Sequence, residues 1–192
     1  MAIVRKEEVI ESWSILIGGG QGRAENVFND TDNFITQTKA PNVKKERKKL
    51  APGLFRGLFG AKRDFLVVAE TSNPRLKPYQ MLIGSRDYGN NLDVSWYLTY
   101  RLTFWERVLS LLLMIPALNF VLLPFAMVKG ATRMAKEGKA GMDLDLFDEQ
   151  DLRAYATNAH HCLIEAVEKL MVDLHQDPSR IDRKSRGFLG IS

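Results

Sequence analysis

The clearest alternation of apolar and polar positions in the chain is LDVSWYLTYR, residues 92–101. Leu92, Val94, Trp96, Leu98 and Tyr100 fall on one side of an extended chain. Asp93, Ser95, Tyr97, Thr99 and Arg101 fall on the other, the period-two pattern of a strand with one face in a core. YQMLIGS (79–85) precedes it across DYGNN, whose residues tolerate positive φ, so a hairpin is expected. FLVVA (65–69) is a continuous β-favouring run, as for a strand covered on both faces. TSNPRLKP joins it to the hairpin as a loop.

Upstream, residues 4–12 read as a short helix and SWSILIGG as a short strand ending in glycines, while AENVFNDTDNFITQT fits helix or strand equally. Downstream, Leu152, Tyr155, Ala159, Leu163, Ala166, Leu170 and Leu174 recur at spacings of three and four, which predicts a long amphipathic helix. Asp148 is its expected N-cap, the cluster Asp143, Asp145, Asp148, Glu149 and Asp151 suits the helix dipole, and Asp177-Pro178 stops it near His175.

Between these parts lies VLSLLLMIPALNFVLLPFAMV, residues 108–128, with no charge in a chain that is 26% charged. As one helix it reaches about 30 Å, the thickness of a bilayer's hydrocarbon core. Pro116, Asn119 and Pro124 interrupt it, and each half is long enough to enter one leaflet only. Arg101 and Arg107 precede it while Lys129, Arg133, Lys136 and Lys139 follow, whereas a single span concentrates cations on its cytoplasmic side. A hairpin dipping from the cytoplasmic face, a bent single span and a buried core helix pair are the three readings. In the membrane readings the inserting residues are Trp105, Leu109, Leu112, Ile115, Pro116, Phe120, Leu123, Pro124 and Phe125.

Charge is distributed unevenly. The net charge of +4 is mild, but residues 39–63 carry nine Lys/Arg against the single acid Glu46. With its glycines and prolines this stretch reads as a basic loop containing a short amphipathic helix. Lys44, Lys45, Arg47, Lys48, Lys49, Phe55, Arg56, Phe59, Lys62 and Arg63 are its candidates for an anionic surface. Membrane lipid is the expected partner and nucleic acid the competing one. The single Cys162 excludes an internal disulfide, and MAIVRKEEVIESW has charges where a secretion signal needs its apolar core. The expected location is therefore a membrane, facing the cytoplasm.

Candidate chemistry is sparse. ILIGGGQGR has glycines that could cradle a phosphate, but it matches neither G-x-x-x-x-G-K-[ST] nor G-x-G-x-x-G, and the following helix signal is short. His160-His161-Cys162 lacks a partner pair at metal-ligand spacing, so no metal and no cofactor is expected. Arg153 and His160 stand on one helical face in RAYATNAH. This spacing is similar to the Arg-x(4–6)-His motif of HEPN ribonucleases, a resemblance limited to one helix. It implies His as acid/base and Arg as phosphate stabiliser across a dimer.

The expected fold is α+β. Residues 1–102 form an antiparallel sheet domain bearing the basic loop, 103–134 are the apolar membrane-inserting segment as helical hairpin or single bent transmembrane segment, and 135–192 pack the C-terminal helix back on the sheet. The expected function is a non-enzymatic, membrane-associated homo-oligomer, scaffold or pore-like. A HEPN-like ribonuclease using Arg153 and His160, or a soluble oligomeric adaptor or nucleic-acid-binding module, is the alternative.

Overall fold

The computed structural model describes residues 3–4, 9–52, 62–100, 144–187 and 189–191. The chain divides into two compact units, Met1–Arg101 with Asp148–Ser192, and Leu102–Phe147. Of the second, only 144–147 are described.

The first unit is α+β. Its strands are β1 (Ile3–Val4), β2 (Val9–Ile17), β3 (Val43–Pro52), β4 (Arg63–Glu70), β5 (Tyr79–Tyr88), β6 (Asn91–Tyr100) and β7 (Arg186–Gly187). They form one sheet in the order β1-β3-β4-β5-β6-β2-β7. β1 adds to β3 in parallel through two residues, and the other six strands are antiparallel. Helices α1 (Ala24–Gln37) and α2 (Leu146–Asp173) complete the unit.

Register places the core. Trp96 lies opposite Trp13 on β2 and Ile83 on β5, and Ile83 lies opposite Leu66 on β4. Leu92, Val94, Trp96 and Leu98 are all fully buried on this face, as the alternation predicts. Both helices cover the same face: Trp13 and Trp96 meet the His160 ring of α2 edge-on, and Arg47 of β3 lies over Phe28 of α1. Lys169 of α2 bonds Asp30 of α1 at 2.7 Å, joining the helices. On the opposite face Leu50, Val67 and Leu82 form a second buried cluster with Phe65 and Tyr97. FLVVA is accordingly apolar at every position, because Leu66 and Val68 serve one face and Val67 the other.

Four elements differ from the sequence reading. Residues 9–12 are strand, where a helix over 4–12 is expected. There Glu11 and Trp13 point into the core, and a bulge at Ile10 resets the register against β6. AENVFNDTDNFITQT resolves to helix, because Val27, Phe28, Thr31 and Ile35 share one buried side. Residues 43–52 of the basic stretch are strand rather than loop: β3 pairs with β4 from Val43↔Glu70 to Leu50↔Arg63. Lysine-rich sequence is at home at a sheet edge, where charge discourages further strand pairing. The α2 N-cap is Asp145, which accepts from the Phe147 N–H at 3.0 Å, and Asp148 is instead buried one turn later.

The two-residue turn Gly89-Asn90 closes the β5–β6 hairpin, with Gly89 at φ 60°. α2 ends with His175 at φ 58°, its N–H bonded to Val172 O at 2.9 Å and that of Gln176 to Met171 O at 2.8 Å. Those two bonds define a Schellman cap, closed here by a histidine in place of glycine.

Candidate functional site

The basic strand is the first candidate, and α1 has a strong hold on it. Lys45 and Arg47 alternate onto the helical face, where Lys45 meets Asp32 at 2.7 Å and Arg47 meets Glu25 at 3.2 Å. Lys45 also donates to Asp32 O at 2.8 Å and Thr36 Oγ1 at 2.5 Å. The Arg47 guanidinium stacks 3.5 Å above the Phe28 ring, using its flat apolar surface as well as its charge. On the other side Lys48 meets Glu46 at 2.8 Å and Lys44 meets it at 3.9 Å. The Lys48 hydrogen bond holds the Glu46 carboxyl below its ordinary range. Lys49, Lys62 and Arg63 have no carboxylate partner among the described residues. Phe55, Arg56 and Phe59, with the expected amphipathic helix, lie outside the described residues.

The strand therefore presents less unpaired charge than its composition suggests. Glu25 and Asp32, which neutralise two of its cations, come from a helix at least six residues upstream in sequence. Between α1 and β3 runs a groove of about 500 Å³ lined by Phe28, Asn29, Asp32, Lys45 and Arg47.

The second candidate is the place where the chain leaves and rejoins this unit. Tyr100 ends β6 opposite Tyr79, the first residue of β5. α2 is fixed near the same end of the sheet, since Asp148 accepts from Asn73 Nδ2 at 2.7 Å and Arg75 Nη1 at 2.9 Å in the β4–β5 connection. Two turns on, the Tyr155 hydroxyl enters between two strands, donating to Val68 O at 2.5 Å and accepting from Met81 N–H at 2.9 Å. Burial pushes its phenol pKa up. Trp105, Leu109, Leu112, Ile115, Pro116, Phe120, Leu123, Pro124 and Phe125 all lie outside the described residues. Among the described residues no helix is long and apolar enough to cross a membrane.

Arg153 and His160 separate in the fold. Arg153 is exposed and 3.7 Å from Glu149 one turn earlier. His160 is completely buried: Nδ1 accepts from Trp96 Nε1–H at 2.8 Å and Nε2 lies 2.7 Å from Arg183 O. A carbonyl oxygen requires a proton on Nε2 and the indole N–H requires a lone pair on Nδ1, so the ring is the neutral Nε2–H tautomer. Burial lowers its pKa further from the imidazole range. Both nitrogens are occupied, leaving neither for a bound phosphate. The next residues are equally structural in setting: Cys162 is buried with its thiol pushed up to about 11, and no group of three metal-ligating side chains occurs among the described residues.

The glycine loop does connect a strand to a helix, and that helix is 14 residues long, not short. Its anion position is filled from within, because Gly22 N–H donates to Asp87 Oδ1 at 2.9 Å. A third polar centre escaped the sequence reading altogether. The buried Glu11 carboxylate accepts from Leu189 N–H at 2.6 Å, Gly190 N–H at 3.1 Å and the Ser185 hydroxyl. Together with the Trp13 Nε1–H bond to Asp182 O at 2.5 Å, it straps residues 182–187 and 189–190 against β2. An acid in a run taken for helix gave no signal of this. No family model, curated protein or solved structure shows significant similarity to the chain.

Proposed function

We propose that the protein is a non-enzymatic, self-associating scaffold attached to one face of a membrane, the cytoplasmic one, by a re-entrant apolar segment. One observation carries the reading. The chain before the apolar segment and the chain after it share a single core, through Trp96–His160, Val68–Tyr155–Met81 and Asn73–Asp148. A single crossing at 108–128 would put β6 and α2 on opposite sides of the bilayer and is incompatible with that core. If the segment enters lipid, it must return to the face it left.

The sequence supports the entry itself. An uncharged run of this length is costly in water, and its IPALN centre supplies the break that a return needs. Cations flank it on both sides, as a segment with both ends on the cytoplasmic face requires. Lys49, Lys62 and Arg63 add attraction to anionic lipid, at about 1 kcal/mol for each cation near the surface. Self-association follows from the polar break, since backbone groups freed by Pro116 and Pro124 need partners at membrane depth and neighbouring copies supply them.

The test uses introduced cysteines at positions flanking 108–128, labelled from each side of sealed membranes in a Cys162→Ser background. Labelling of both flanks from the same side, with retention in the membrane after carbonate extraction, is expected. Complete release by carbonate, or labelling of the two flanks from opposite sides, refutes the proposal.

A further inference from the structure

The ladder between β4 and β5 stops short at one end. β4 follows β3 down to Arg63, and β5 follows β6 out to Tyr88, yet the two pair with each other only between Phe65↔Gly84 and Val68↔Met81. Beyond Gly84 the strands part, and a cleft of about 320 Å³ occupies the opening. Gly84 shapes its wall. A Cβ there would lie 2.8 Å from the Phe65 ring, so only glycine lets that ring approach the strand so closely.

Ser85, the first β5 residue past the split, lines the cleft. It is 7% exposed, and its hydroxyl is one of two buried side-chain groups without a hydrogen-bond partner among the described residues. An orphan of this kind is destabilising and calls for a ligand or water to complete it. The same cleft is lined by Arg47, Lys62, Arg63 and Arg86. Arg47 and Arg86 are held in place by Glu25 at 3.2 Å and Asp93 at 2.8 Å, while Lys62 and Arg63 carry no such partner. The remaining acid on the lining is Asp64, so four cations face three carboxylates, two of which are already committed. The first turn of α1 contributes Ala24 and Glu25, whose end of the helix dipole favours an anion.

We propose that this split is a binding site for a phosphate monoester. Oriented guanidinium forks, a buried hydroxyl awaiting an acceptor and a helix start suit an anion with several oxygens. The cleft's volume suits one small phosphorylated group, whether free in solution or a lipid headgroup. The proposal shares Lys62 and Arg63 with the membrane reading but does not need the apolar segment, because every group it uses belongs to the sheet unit.

The full chain is titrated with glycerol 3-phosphate while backbone amide shifts are followed by NMR, with sodium chloride at equal ionic strength as the control. A parallel arm uses vesicles containing phosphatidic acid against vesicles of phosphatidylcholine alone. Saturable shifts at Ala24, Glu25, Ser85 and Arg86 are expected. Saturation by glycerol 3-phosphate supports a soluble source, and saturation only with phosphatidic acid vesicles supports a lipid headgroup. Arg63→Gln should weaken binding about tenfold and Ser85→Ala about three- to tenfold. Ser85→Ala should at the same time raise the Tm of the ligand-free protein by about 2–4 °C, since it deletes an unpaired buried hydroxyl. A merely structural serine would not show these opposite signs. Absence of saturable shifts from both probes up to about 10 mM, or binding undiminished in both variants, overturns the proposal.

Discussion

Acidification should destabilise this protein through one residue, His160. The neutral ring holds the Trp96 indole N–H with one nitrogen and the Arg183 carbonyl with the other, inside a fully buried site. Protonation would place a hydrogen on Nδ1, against the indole N–H, and bury an unpaired charge. The folded pKa is accordingly depressed below the ordinary 6.5, with burial the main cause. The sign follows directly. Well above pH 6.5 both folded and unfolded states carry neutral imidazole and His160 gives no pH dependence. As pH falls below that value the unfolded chain takes up a proton the fold refuses, and the loss accumulates until the folded pKa is reached. Between about pH 7.5 and about pH 5.5 the stabilisation from the neutral ring therefore falls, by at most about 1.4 kcal/mol for a single group.

His160→Gln isolates the effect. The glutamine amide offers an acceptor and a donor, so both partners can be kept while the titration is removed. The edge contacts to Trp13 and Trp96, with ring centroids at 5.7 and 5.5 Å, are lost, and the variant should be about 1–3 kcal/mol less stable at neutral pH. Urea unfolding of both proteins across this pH range is the assay, read as the difference between their stability curves. All other titrating groups are common to both and cancel. The gap should narrow steadily toward the acid end. A constant gap would mean that the fold accommodates the imidazolium, and the neutral-relay account would be wrong.

Two further outcomes test the packing of α2. Tyr155→Phe leaves Val68 C=O and Met81 N–H without their shared hydroxyl in the core and should cost about 2–4 kcal/mol in chemical denaturation; a cost under about 0.5 kcal/mol would show that the bridge is dispensable. His175→Gly relieves a side chain held at φ 58° in the helix cap and should stabilise by roughly 0.5 kcal/mol, the relief exceeding glycine's extra unfolded entropy. Loss of stability there would point to contacts of the imidazole that outweigh its backbone strain.

Sequence pattern alone established the parts whose burial is periodic. The alternation from Leu92 to Tyr100 and the three-four spacing from Leu152 to Leu170 each placed a core face correctly, because one side of a strand or helix must be apolar to leave water. The apolar run at 108–128 is equally plain, although its structure lies outside the described residues. Tertiary structure decided what composition concealed. VKKERKKL has the charge of a loop, yet it is a strand because the apolar β4 supplies the ladder and α1 supplies Asp32 and Glu25 for its cations. Glu11 and His160 have the look of surface or catalytic groups in sequence, and their partners 160 or more residues away or across the core make them structural. The split beside Ser85 depends on where two ladders end, a relation between strands that no single strand encodes. Nor could flanking charge choose between a span and a return: that choice, if the segment meets lipid, follows from β6 and α2 closing over one hydrophobic core, since chain packed together cannot stand on both sides of a bilayer.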